Sequence, residues 1–138
     1  MVPVLLILLL IAIDFGRLFS SWVTLNNAAR VAANYAASDP TPDDGFGATS
    51  EYAAQVNAEG FGSLSPTCAT AGVPPPVFTD TTVDANVTTT NLGDEATVSI
   101  SCSFRVMTPV ISAIVGNNLA MSASSTFAIR GGDQVYLP

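Results

Sequence analysis

The sequence predicts an α+β fold: one long N-terminal α-helix, apolar in its first half and amphipathic in its second, packed on a small antiparallel β-sheet domain. Three observations predict it. Residues 3–37 contain no helix breaker other than Pro3 and Gly16. Apolar residues alternate through Ala96, Val98, Ile100, Cys102, Phe104 and Val106, and again along the odd positions from Leu119 to Ile129. Between these blocks the chain is rich in Pro, Gly, Ser and Thr, the chemistry of turns and loops. The division is residues 1–38 as a filament-core or membrane helix and residues 39–138 as a globular head.

Pro3 suits a first helical turn, and Ser38-Asp39-Pro40 forces a stop. The helix between them is about 50 Å long at 1.5 Å per residue. Residues 2–13 are apolar on every side, which calls for lipid or a bundle of helices. From Leu18 onward a stripe appears at alternating steps of four and three: Leu18, Trp22, Leu25, Ala29, Ala32 and Ala36. This stripe is expected to dock on the head, its small residues admitting a close neighbour.

Residues 39–49 read as a loop. Asp39, Asp43 and Asp44 beside Gly45 invite calcium, but the spacing and terminal Glu of an EF-hand are missing, so an acidic solvated turn is expected. Ser50 caps a short helix from Glu51 to Glu59 that stops at Gly60. A coil through Pro76 follows and contains Cys68. Val83, Ala85 and Val87 alternate with polar residues, and Asn91 to Asp94 supplies a turn into the strand of Ala96 to Val106. Thr108-Pro109 starts a short helix to Val115, ended by Gly116-Asn117-Asn118, and residues 119–129 form a last strand. Asn86-Val87-Thr88 is a glycosylation sequon within the Thr-rich stretch from Thr79 to Thr90, and a strand accounts for both.

Composition narrows the function. Four Arg stand against eleven Asp and Glu, giving a net charge of −7 with no Lys and no His. Nucleic-acid binding needs clustered cations, so no nucleic-acid partner is expected. A His base and a Lys Schiff base are excluded, and no phosphate loop or paired-carboxylate motif is present, so the chain reads as no enzyme, with no cofactor and no metal site. Cys68 and Cys102 stand 34 residues apart, outside any CxxC pair. In an extracytoplasmic chain they most simply form one disulfide, the alternative being two buried thiols.

A helix that is apolar first and amphipathic later, leading into a small antiparallel sheet, is the plan of type IV pilins. More narrowly, VPVLLILLLIAIDFGRLF followed by LNNAARVAANYAA resembles the TadE-like family of tight-adherence pilus systems, and FRVMTPVISAIVGNNLAMSASSTFAIR looks like that family's closing strand–helix–strand. Family members carry a further stretch ahead of this start, including a Glu-Phe pair after a prepilin-peptidase site. Here the printed sequence opens at Met1-Val2-Pro3, with no carboxylate before Asp14. The resemblance implies a pilin or pilin-like structural subunit of an extracellular filament serving adhesion. Such a subunit assembles as a helical homo-oligomer through residues 1–25. It meets the inner-membrane pilus assembly machinery and passes through the cytoplasmic membrane as a single-span precursor before reaching the cell surface. A minor pseudopilin that primes or tips the filament is the nearest alternative. A single-pass anchored binding module is another, although the Lys or Arg cluster that marks such a span is missing.

Asp14 and Arg17 interrupt the greasy run. At i and i+3 they share a helix face and can neutralise each other. Alternatively, Asp14 meets Arg17 or the Met1 ammonium of a neighbouring subunit and sets the register of assembly. Met1, Asp14 and Arg17 are therefore the candidate register residues.

Overall fold

The computed structural model describes residues 2–64, 68–70, 72–81 and 90–131. Helix α1 spans Val2–Ser38 and is followed by helix α2 (Glu51–Ala58) and a short 3-10 helix (Phe61–Leu64). Strands β1 (Cys68–Thr70) and β2 (Val77–Thr79) precede the long strand β3 (Glu95–Arg105), helix α3 (Pro109–Val115) and strand β4 (Asn118–Ala128).

All strands are antiparallel to β3, which occupies the middle of the sheet. On one side β4 pairs along its whole length, from Glu95 opposite Ala128 to Arg105 opposite Asn118. On the other side β1 and β2 share one edge, β1 opposite residues 102–104 and β2 opposite residues 95–97. Pro74, Pro75 and Pro76 lie between the two short strands and have no N–H to give to a ladder, which accounts for the interruption. The Tyr52 hydroxyl donates to the Pro74 carbonyl at 2.7 Å and ties this connecting segment to α2. The expected coil through Pro76 is thus corrected: two strands lie in or beside it. The expected strand around Val83, Ala85 and Val87, the Asn86 sequon and the tail beyond Gly131 lie outside the described residues.

Helix α1 lies across one face of this sheet. Ala28, Ala29, Ala32 and Ala33 are fully buried against Val98, Ile100 and Phe104 of β3 and Ala123 of β4. Methyl-sized side chains let the helix backbone approach the sheet closely, so larger residues come from the opposite side: Phe104, Ile100, Met121 and, from α2, Tyr52 and Val56. A second cluster at the far end joins Ala36 and Ala37 to Ala96 and Ile129. There the rings of Tyr35, Phe46, Tyr52 and Phe78 stack at centroid distances of 5.1 to 5.9 Å, close enough for edge and tilted aromatic contact.

The far end is also tied through the backbone. The last carbonyls of a helix have no partner inside it. Here the Ala37 carbonyl accepts from Arg130 N at 2.7 Å and Gly131 N at 3.3 Å, as β4 passes over the helix terminus. The Arg130 guanidinium reaches the Asn34 side-chain carbonyl and the Ser38 hydroxyl. Helix α2 starts as expected, with the Ser50 hydroxyl accepting from Ala53 N, and Asp44 accepts from Glu51 N at 2.6 Å. One member of the acidic loop therefore serves α2's N-terminus.

Candidate assembly and membrane surface

The lower part of α1 leaves the head. From Val4 to Leu10 every side chain is exposed, as is Ile13, and among the described residues nothing in the head buries them. Among the described residues, α1 is the one helix long and apolar enough to cross a membrane. Met1, a candidate register residue, lies outside the described residues.

The head takes hold of α1 at Asp14. This carboxylate is only 5% exposed. One oxygen accepts from Arg17 Nη1 at 3.1 Å. The other accepts from the backbone N–H of Thr108 at 2.7 Å and from the Thr108 hydroxyl. Within the chain, Asp14 and Arg17 thus pair on one helix face, and the pair is extended by a partner 94 residues away. Arg17 also lies over the Phe104 ring, 5.6 Å from its centroid, so its charge rests on an aromatic face as well as a carboxylate. Burying a charge is costly unless it is paired and hydrogen-bonded, and Asp14 meets both conditions inside its own chain.

The grip on Asp14 moves the boundary along the helix. Docking was expected to begin at Leu18, but contact with the head reaches Ile11. Ile11, Phe15 and Leu18 of α1, Phe104 of β3, Val106 just beyond it and Ile111 of α3 line an apolar pocket of about 200 Å³ beside Asp14. Of the residues expected to dock, Leu25, Ala29, Ala32 and Ala36 are buried and Leu18 is half-buried. Trp22 needs correction: it is 49% exposed. It lines an open groove with Phe15, Leu18, Phe19, Leu119 and Met121, and its ring tilts against Phe19 at 6.3 Å.

Thr108 was missed as a functional residue. It occupies the N-cap position of α3, yet its hydroxyl makes no capping bond there. A capping hydroxyl directed elsewhere, and a carboxylate in a greasy helix, are each in want of a partner. Their meeting is a matter of topology, since the β3–α3–β4 turn brings residue 108 beside residue 14.

Cys102 is buried in the sheet's inner face and is not a free thiol. The side chain of Cys68 lies outside the described residues; its backbone stands opposite Phe104.

The family model of TadE-like proteins matches residues 1–34, the stretch that holds the exposed apolar run, Asp14 and Arg17. Over this segment the chain is similar to TadE-like proteins. TadE-like proteins are structural and pilus-associated, and a single apolar N-terminal helix fits a membrane-anchored pilus component. No curated protein and no solved structure matches the chain. The TadE-like match ends at Asn34, so the head from residue 39 onward is described by its own geometry alone.

Proposed function

We propose that the chain is a pilin-like structural subunit of a Tad-type pilus, held in the cytoplasmic membrane by α1 and then joined to neighbouring copies through residues 1–25. The observation that carries this reading is the contrast along one helix. Residues 25–37 bury their Ala face in the subunit's own head, while Val4 to Leu10 expose apolar side chains on all sides. A helix that is apolar all round requires lipid or other helices as its surroundings, and a filament-forming subunit meets both in turn. The TadE-like match to the same residues supports the reading. Asp14 and Arg17 arrive at such a bundle already paired with each other and with Thr108. Their first role is therefore to fix the head on the helix, and any part in subunit register comes through that.

Electron microscopy of material sheared from the cell surface, with mass spectrometry of the subunit's N-terminus, tests the proposal. Filaments containing the chain along their length are expected. The chain found in a few copies at filament ends would make it a minor, tip-forming subunit. Chain retained entirely in the membrane would instead favour an anchored module.

The proposal extends to a Cys68–Cys102 bridge. Register places Thr70 opposite Cys102 and Cys68 opposite Phe104, so the two cysteines are diagonal neighbours on adjacent strands. Closing a loop of this length stabilises by roughly 3–4 kcal/mol in the chain-entropy account. The intact mass is expected to rise by two hydrogens on reduction; alkylation of both thiols without reductant would refute the bridge.

A further inference from the structure

Outside α1, few large apolar side chains of the described residues are exposed, and two of them, Met107 at 71% and Ile114 at 81%, lie just before and within the same short helix, α3. We propose that this base of the head, from Met107 to Leu119, rests on the bilayer that holds α1, with Met107 and Ile114 inserted at the boundary between headgroups and acyl chains. The inference rests on the reading of α1 as a membrane-held helix.

Position argues for it first. Thr108 is bonded to Asp14, and Ile111 shares a pocket with Ile11 and Phe15, so α3 stands level with the point where α1 leaves the head. Its exposed apolar side chains thus stand next to the exposed apolar stretch of α1, Val4 to Leu10 and Ile13. Charge argues the same way. No residue from Val106 to Asn118 is charged, and the nearest charged side chain on the sheet is the exposed Arg105, while Asp14 and Arg17 on the helix are paired with each other. An exposed cation at this level suits lipid phosphates. Glu95 stands at the opposite end of β3, about 33 Å away at 3.3 Å per residue, and Asp39, Asp43 and Asp44 follow the far end of α1. The outer face of β3 then limits the depth. Ser99 and Ser101 are exposed and polar, and the Ser99 hydroxyl bonds to Ser124 across the strands, so this face belongs in water. Lipid contact stops at α3, within the roughly 5–10 Å to which interfacial elements sink.

The test uses the full chain in vesicles of phosphatidylethanolamine and phosphatidylglycerol, with or without a lipid bearing a nitroxide near its headgroup. Met107→Cys, Ile114→Cys, Leu8→Cys and Asp43→Cys are each labelled with an environment-sensitive fluorophore. All four sites are exposed, so each label leaves the fold in place, which circular dichroism checks. Emission is expected to be lost to the nitroxide at positions 107, 114 and 8, and retained at 43. Loss at 8 with retention at 107 and 114 would overturn the seating of the head while leaving α1 in the membrane; occupation of α3 by a second copy gives this same result. Retention at 8 would overturn the membrane reading of α1 and the seating with it.

Discussion

Asp14 has three donors, and they differ in what their loss should do. The Thr108 hydroxyl gives a hydrogen bond to a charged acceptor, worth about 1.5–3 kcal/mol. Thr108→Val should therefore lower the stability of the folded chain by about that amount, read as a shift of the urea midpoint in detergent. Arg17→Ala should cost less, because Asp14 keeps both Thr108 donors and Arg17 is partly exposed. A Thr108→Val chain as stable as its parent would show that the contact contributes nothing. Tyr52 supplies a pH-dependent counterpart. Burial pushes its phenol up to about 12. The folded value lies above the unfolded value of about 10, so the protonated phenol's contribution is complete below pH 10 and is lost as pH rises from 10 towards 12, in total roughly 2–3 kcal/mol. Tyr52→Phe should lose the bond to Pro74 yet unfold less steeply over that alkaline range; equal alkaline slopes would remove Tyr52 from the account. Asp14 and Arg17 stood out in the sequence because charges in a greasy run are anomalous. Thr108 did not, since a contact across 94 residues leaves no trace in local pattern.

At the scale of elements, what was legible followed from period and punctuation. Pro3 and Pro40 bracket α1, strict alternation marks β3, and a looser alternation, broken at Ser125, marks β4. β1 and β2, three residues each, are too short to show a period and sit among prolines, so only their pairing with β3 defines them. The close passage of β4's exit over the end of α1 was equally hidden, although a glycine marks it. A Cβ at Gly131 would lie 1.7 Å from the Ser38 carbonyl oxygen. Gly131→Ala must push the strand exit away from the helix, and forced displacement of packed elements typically costs about 1–3 kcal/mol. The variant should melt earlier than the parent, with amide exchange accelerated at Arg130. An unchanged melting temperature would mean that the passage relaxes freely.

For the whole molecule, the division of α1 into a free half and a docked half was visible in the sequence, and its place was not. The stripe of apolar residues begins at Leu18, but the head's lowest contacts are with Ile11 and Asp14. Two truncations separate these boundaries. Deleting residues 1–10 removes most of the free half and keeps Asp14, so a soluble, folded head is expected. Deleting residues 1–24 also removes the Asp14–Thr108 contact and uncovers Phe104, and should give a less stable head by thermal unfolding. Equal stability of the two fragments would place the boundary no lower than Leu25. The two attachments of the helix, at Asp14 near one end of the head and at Ala37 near the other, stand 23 residues apart, about 35 Å along the axis. In the proposed filament, tension enters each subunit through its lower helix and runs along that axis. With the head fastened at both ends, the load falls on the helix–sheet contact as shear along its whole length. Peeling from one end is blocked, and the interface has to yield at both fastenings together.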